Sequence, residues 1–546
     1  MSARATTLAL VGLVLALWIS ALALRPLFNP DEGRYAEIPR EMLASGDWTI
    51  PHLNGLAYIE KPPLQYWATA ALLGLFGASA FAARLYIFLC AIACAAAIHW
   101  AARCCWDATI ARRATAISVS MLLFILLGQL LTLDMSLTCH LTGCLCAFLV
   151  AQVHGRAGRE GAARRAMLAA WVFAALGLLT KGLVAVVIPG AVLVLYTALR
   201  RDFSPWRRLH LLPGLALFAL IALPWHALAQ RRLPDFFQFF FVREHFARFM
   251  TPVADREEPA WFFAAVFLAG TLPWTGSALR CLLRGWRREA GGSGFDAPAF
   301  IRIWVLFILL FYSLSDSKLI PYILPALPAV ALLVAAQSPA LLQREVSRVS
   351  FSFLLAGAVF GAAAAALPWL LANAARGPYF LGLRWPLALA ALLLFATGLW
   401  VRRVPAGAAG DEVGRLAAGW SAAVLVLLAG ASALAPVYSG ATLVAALPAG
   451  ERESAIVYSV RTYDQTLPFY WRRPVTLVDY RGELDYGLSR DPGRGIASLA
   501  QFRVRWLQQA QAYAIMEPQT LNELRASGVP MRELARDAHR IVVARR

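Results

Sequence analysis

Apolar runs long enough to cross a bilayer, separated by short arginine-rich loops, recur from the start of this chain to about residue 435. A hydrocarbon core about 30 Å thick asks for about 20 apolar residues per helix, and every backbone N–H and C=O inside it must be bonded within the protein. Residues 6–24, behind Arg4, meet that length and carry the flanks of an uncleaved signal anchor. Further runs lie near residues 84–102, 114–133, 135–153, 166–179, 183–199, 211–229, 261–279, 301–314, 319–336, 351–371, 385–401 and 417–435. The expectation is an α-helical polytopic membrane protein with about 13 spans.

The charge pattern orients these spans. Basic loops hold Arg103/Arg112/Arg113, Arg156/Arg159/Arg164/Arg165, Arg200/Arg201/Arg207/Arg208, Arg280/Arg284/Arg287/Arg288, Arg344/Arg348 and Arg402/Arg403/Arg415. They fall on every second connection, which the positive-inside rule assigns to the cytoplasm. The opposite side then receives loops 25–66 and 230–259, the turns at Asp134, Lys181 and 315–318, and everything after Pro436. A net charge of +19 suggests nucleic acid in a soluble chain, but here the excess sits in loops facing anionic headgroups. Membrane lipids are therefore expected partners and nucleic acid is not. All eight cysteines lie in or beside apolar runs and none follows Cys281, so free thiols are expected. No GxGxxG, Walker loop, HExxH or DxD pair is present, which argues against soluble-nucleotide chemistry.

Residues 437–546 change character. Short strand-like stretches (454–460, 475–479, 512–517, 541–544) alternate with helix-like ones (465–471, 498–511, 520–526), the pattern of a small α/β domain. The expected division is a membrane domain over 1–436 and an outer α/β domain over 437–546.

Only Lys61, Lys181 and Lys318 among the 51 basic residues are lysine, and all three fall at the outer ends of spans. A compact ammonium on a flexible stem suits a phosphate. The alternative is three survivors of an arginine-favouring composition that snorkel at the interface. The same face collects acids and aromatics. Asp31-Glu32-x-Arg34-Tyr35 follows the first span, with Asp31 sharing a helical face with Arg34 and Tyr35 or else capping the helix. Asp134 interrupts an apolar stretch too long for one helix, as a functional acid or a turn residue. Tyr58, Glu60 and Lys61 precede Pro62-Pro63, and Tyr322 follows Lys318. The phenylalanine-dense stretch 236–249 carries Arg243, Glu244 and His245 and reads as an interfacial amphipathic helix. His245 with Glu60 would supply part of a divalent-metal site. Cations at this density, next to carboxylates, fit an enzyme that handles a phosphorylated lipid at the membrane surface. A transporter for such a lipid is the rival reading, but it calls for charges near the midplane and for internal repeats, and no repeat is seen.

These motifs resemble the ArnT-type aminoarabinose transferases of the GT-C, protein-mannosyltransferase superfamily. The resemblance rests on Asp31-Glu32-x-Arg34-Tyr35-Ala36, Arg40-Glu41-Met42, Glu60-Lys61-Pro62-Pro63-Leu64-x-Tyr66-Trp67, Thr180-Lys181-Gly182, Glu244-His245-Phe246-x-Arg248-Phe249 and Ser317-Lys318-Leu319-Ile320-Pro321-Tyr322. It implies a GT-C fold with a C-terminal periplasmic α/β domain in the bacterial inner membrane. The implied reaction moves 4-amino-4-deoxy-L-arabinose from an undecaprenyl-phosphate donor to lipid A phosphates at the periplasmic face, which confers polymyxin resistance. Asp31, Glu32 and Asp134 would be catalytic. Arg34, Tyr35, Tyr58, Lys61, Lys181, Arg243, Lys318 and Tyr322 would bind the donor and its phosphate. Another lipid-linked sugar transferase, with a protein or glycan acceptor, fits the first-loop motif as well.

The orientation has a direct test. A cysteine introduced at Gly450 should react with a membrane-impermeant maleimide from outside, while native Cys104 and Cys105 should not. A shielded Gly450 in intact spheroplasts overturns the assignment.

Overall fold

A computed structural model describes residues 3–247, 258–284, 295–374, 376–403, 409–509 and 511–545. Counting helices of six residues or more, its membrane part runs through α1 (Ala3–Leu24), α2 (Asp31–Ser45), α3 (Leu64–Phe76), α4 (Ala80–Cys105), α5 (Ala108–Ser120), α6 (Leu122–Leu127), α7 (Leu133–Arg156), α8 (Glu160–Lys181), α9 (Val184–Arg200) and α10 (Leu211–Arg232). It continues through α11 (Phe262–Gly270), α12 (Thr275–Leu283), α13 (Ala297–Ser313), α14 (Leu327–Ala335), α15 (Pro339–Leu371), α16 (Arg384–Arg402) and α17 (Ala409–Gly430). Seven helical stretches among the described residues are long and apolar enough to cross a membrane, and five shorter apolar helices join them. The chain is a multi-pass membrane protein. α7 is its axis, with 94% of its apolar window buried inside the protein, while most of α15 faces outward.

The structure corrects the span pattern in three places. The run over 114–133 breaks at Met121, between α5 and α6. The run over 261–279 breaks ahead of α12, where Pro273 brings no N–H. These two breaks answer each other: Leu122 N–H donates to Leu272 O at 2.9 Å, and the Trp274 indole donates to Ser120 Oγ at 2.9 Å. Non-helical backbone is tolerated inside the hydrophobic part because protein groups satisfy it. The third run, over 319–336, opens as a 3-10 turn (Ile320–Ala326) holding Pro321 and Pro325 and becomes α-helical only at Leu327.

The C-terminal sheet has six strands in the order β5-β4-β3-β6-β8-β7, numbered after the short hairpin β1 (His52–Leu53) and β2 (Leu56–Ala57). Strands β3 (Ile456–Val460), β4 (Thr476–Val478), β5 (Gly495–Ile496) and β6 (Ala512–Met516) are parallel, while β8 (Ile541–Ala544) pairs antiparallel with both β6 and β7 (Arg532–Arg536). Helices α18 (Thr466–Trp471), α19 (Asp485–Arg490), α20 (Leu499–Gln508) and α21 (Pro518–Ala526) complete it. Four strands coincide with the apolar stretches of the sequence. β5 and β7 do not: β5 is an edge strand of two residues, and β7, Arg-Glu-Leu-Ala-Arg, is the opposite edge, whose charges keep an exposed ladder from pairing with another chain.

One residue changes role. Glu32, expected beside Asp31 as a catalytic acid, is 2% exposed and points into the bundle. Its Oε2 accepts from Arg25 at 2.6 Å, Arg84 at 2.8 Å and Phe28 N–H at 2.9 Å. Its Oε1 accepts from Arg84 Nε at 2.7 Å, Arg25 at 3.1 Å and Leu131 N–H at 3.1 Å. With every lone pair engaged, Glu32 has no capacity left for a substrate. Burial pushes its carboxyl up, but the guanidiniums of Arg84 and Arg25 outweigh that and hold it well below the usual carboxylate range. Glu32→Gln should destabilise the protein by about 3–5 kcal/mol, because two buried cations lose their counter-ion. The parent protein should lose stability as the pH falls below the ordinary carboxyl value of 4.5, where the unfolded chain takes up the proton that the folded one refuses. Thermal unfolding in detergent across pH checks both, and a flat profile with an unchanged midpoint in Glu32→Gln contradicts the assignment.

Candidate active site

The site is assembled at the end of the bundle opposite the arginine loops. α2 starts immediately at Asp31, and its first turn sits so close to the C-terminal domain that a Cβ on Gly33 would lie 2.4 Å from the Gln465 carbonyl carbon. With Glu32 turned inward, the flanking Asp31 and Arg34 face the other way. Arg34 donates to Asp31 Oδ1 at 2.9 Å and forms a second ion pair with Glu483 of the C-terminal domain. Its guanidinium also lies 5.8 Å from the Tyr35 ring and 6.0 Å from the Tyr58 ring. Burial opposes the Arg34 charge, and the carboxylates of Glu483 and Asp31 beside it favour it. Asp31 keeps half of its side chain exposed.

Tyr35 sits at the middle of the constellation, with its ring stacked on Tyr66 at 6.1 Å. Burial pushes its phenol up, and the negative charges of Asp31, Asp134 and Glu60 push the same way against Arg34. Burial likewise raises the phenol of Tyr58. Both therefore remain O–H donors at neutral pH. The hairpin β1–β2, turned through Asn54 and Gly55 at positive φ, delivers Tyr58, Glu60 and Lys61 to this place. Lys61 Nζ donates to Glu60 O at 2.9 Å and lies 3.6 Å from Glu244.

A second group stands on α7 and α8. Asp134 occupies the first turn of α7, behind a Thr132 cap, and Lys181 is the last residue of α8; an acid at a helix N-terminus and a cation at a C-terminus both complement the helix dipole. Lys181 Nζ donates to Asp134 Oδ1 at 2.5 Å and sits 4.7 Å from the Tyr322 ring, which packs on Tyr312 at 5.1 Å. Lys318 is buried in the turn that leads to Tyr322.

The expected amphipathic helix after α10 is a π-helical turn, Gln238–Ala247. Its exposed Arg243 lies over the Phe239 ring at 5.2 Å. The side chain of His245 lies outside the described residues, so a Glu60–His245 metal pair rests on the sequence alone. Among the described residues no three His, Cys, Asp or Glu side chains stand together as a metal site. No sequence signal points to Glu483, nor to Gln465, which hydrogen-bonds to it. Both lie more than 400 residues from Arg34 and sit in no chemical motif. Chemically, the arrangement offers three cations from separate segments, each paired with a carboxylate, together with neutral phenols and one half-exposed acid. An anionic headgroup can exchange into such pairs.

Comparisons with known proteins agree with this layout. Residues 4–240 match the family model described as dolichyl-phosphate-mannose-protein mannosyltransferase, and residues 443–545 match the aminoarabinose transferase C-terminal domain. An undecaprenyl phosphate-alpha-4-amino-4-deoxy-L-arabinose arabinosyl transferase of Erwinia tasmaniensis is 33% identical over 523 residues, covering 90% of this chain and 89% of that one. A protein of the same name from Sodalis glossinidius is 36% identical over 60% of this chain and 58% of its own. The crystal structure of ArnT from Cupriavidus metallidurans bound to undecaprenyl phosphate superposes with a TM-score of 0.88 at 31% identity, covering 100% of this chain and 99% of that one.

The Arg34–Glu483 pair predicts an energetic link between the two domains. A double-mutant cycle of Arg34→Met and Glu483→Gln, read from thermal unfolding midpoints, should give a coupling of about 1–3 kcal/mol. Additivity within about 0.5 kcal/mol would mean that the C-terminal domain does not close the site.

Proposed function

Because the chain belongs to the ArnT-type aminoarabinose arabinosyltransferases of the GT-C class, we propose that it transfers 4-amino-4-deoxy-L-arabinose from undecaprenyl phosphate to a phosphate of lipid A. The site would work at the periplasmic face of the inner membrane. The observation that carries this reading is the cluster of Arg34, Lys61 and Lys181, each beside a carboxylate, at the end of the bundle away from the arginine loops. That end is the outer one by the positive-inside rule.

In the proposed reaction an acceptor phosphate oxygen attacks the anomeric carbon. The bond from that carbon to the donor phosphate oxygen breaks, and its electron pair leaves with undecaprenyl phosphate. A phosphomonoester is already anionic near neutral pH, so no base needs to take a proton from it. A phosphate leaving group needs stabilised charge more than a general acid. Lys61, Arg34 and Arg243 would supply that charge on the donor side. Asp31 would steady positive charge building on the sugar ring, with Asp134 as a further catalytic acid and its partner Lys181 adding positive charge for the donor phosphate. Tyr35, Tyr58 and Tyr322 would line the path between them, with Lys318 behind Tyr322. Glu60 and His245 are kept as proposed ligands of a divalent cation, and no step is drawn through it.

The test is transfer in a Gram-negative cell that makes the donor but lacks its own transferase. The protein should restore an aminoarabinose adduct on lipid A, read by mass spectrometry. It should also weaken polymyxin binding, since each adduct adds an amine and masks a phosphate. Asp31→Asn and Lys61→Ala should each remove most of the adduct, at least about tenfold, at equal protein level. Lys61→Arg should retain a small part of it, because its charge is kept but displaced. A well-expressed parent without the adduct sinks the aminoarabinose assignment and favours another acceptor or sugar.

A further inference from the structure

The loop that carries Arg243 and Glu244 follows α10, which ends at Arg232, and is gripped at Asp235 by the C-terminal domain. Tyr486 Oη lies 3.3 Å from each carboxylate oxygen of Asp235, and Arg490 forms an ion pair with the same group. The Phe239 ring lies 4.3 Å from the Tyr486 ring, and the Arg490 guanidinium covers Tyr486 from 4.9 Å. Burial, aided by Asp235 and opposed by Arg490, pushes the Tyr486 phenol up to about 12, so it stays an O–H donor. Tyr486 also packs at the edge of an apolar cluster of Ile50, Ile59, Trp225, Phe236 and Phe240.

The same helix is seated on the other active-site loop. A Cβ on Gly487 would lie 2.7 Å from Leu56 Cβ and 3.1 Å from Ala57 O, in the strand that leads to Lys61. α19 therefore touches both the hairpin that leads to Lys61 and the turn bearing Arg243 and Glu244. Phe239 is shared, meeting Tyr486 on one side and Arg243 on the other.

We propose that Tyr486 and Arg490 are positioning residues: through Asp235 and Phe239 they hold the 235–247 turn so that Glu244 stands beside Lys61, with Arg243 packed on Phe239, before the donor arrives. The assignment of Arg243 to the donor phosphate rests on the function proposed above; the clamp itself does not. A turn held in place in advance spares the donor the entropy of ordering it, so the clamp acts on donor affinity more than on the chemical step.

The experiment uses the full chain in lipid nanodiscs, with variants Asp235→Ala, Tyr486→Phe, Arg490→Asp and the swap Asp235→Arg/Arg490→Asp. One readout is the rate of trypsin cleavage between Arg243 and Glu244, which needs no donor. The other is KM and kcat for the undecaprenyl-phosphate aminoarabinose donor. Arg490→Asp and Asp235→Ala should raise both the cleavage rate and the KM about two- to fivefold, the range open to a partly exposed ion pair, with kcat nearly unchanged. Tyr486→Phe should move both in the same direction by less, and the swap should restore both. Unchanged cleavage in Asp235→Ala and Arg490→Asp overturns the clamp, as does a fall in kcat at constant KM. Faster cleavage in a protein whose parent transfers no aminoarabinose keeps the clamp and removes the donor assignment instead.

Discussion

The carboxylate of Glu32 and its two guanidiniums fix the frame on which the rest of the site depends. Burying three ions costs several kcal/mol per ion unless the geometry is close to ideal, and here each carboxylate oxygen accepts three hydrogen bonds. The partners come from the end of α1, from α4 and from the backbone just ahead of α7. Once that network closes, the neighbours of Glu32 in sequence have one direction left to face. Asp31 is placed on the outside of α2, and Asp134, three residues beyond Leu131, stands in the first turn of α7, both close enough for their charges to act on the Tyr35 phenol. One buried anion thus ties together the segments that carry two acids more than 100 residues apart in sequence.

Outside α2 and the short β1–β2 hairpin, the first outer loop is irregular, and it is braced by the C-terminal domain. Leu27 N–H donates to Tyr470 Oη at 2.7 Å, Asn29 N–H to Tyr438 O at 2.8 Å, and Gln465 N–H to Asn29 Oδ1 at 3.0 Å. Asn54 exchanges two hydrogen bonds with the Val475 backbone, at 2.8 and 2.7 Å. Backbone groups in an irregular segment need partners as much as those in a helix do, and here a folded domain supplies them. The domain is therefore part of the site's scaffold. Glu483 extends that role into the chemistry by sharing Arg34 with Asp31.

Three cations at the site each have a carboxylate beside them: Glu244 for Lys61, Asp134 for Lys181, Asp31 and Glu483 for Arg34. Charges left unpaired in a partly buried cavity would be costly, whereas paired ones can be exchanged for a phosphate of the same sign. Such exchange suits a site that must accept an anionic lipid and later release one. Tyrosines Tyr35, Tyr58 and Tyr322 sit against these cations as neutral, polarisable walls that add no charge of their own.

The sequence by itself determined the membrane class, the one-sided gathering of lysines and acids, and the α/β character of the last hundred residues. Those features follow from hydrophobic length, charge asymmetry and strand alternation, which are local properties written into consecutive residues. Tertiary structure alone decided that Glu32 is a structural anion while its neighbour Asp31 is open, since both read as the same acid pair until Arg25 and Arg84 are brought to one of them. It alone decided that Met121 and Pro273 interrupt their runs, because each break is tolerated only where the other supplies its hydrogen bonds. And it alone placed Glu483 on Arg34 and Tyr486 on Asp235, contacts between residues hundreds of positions apart, set by how a folded sheet domain docks on the bundle.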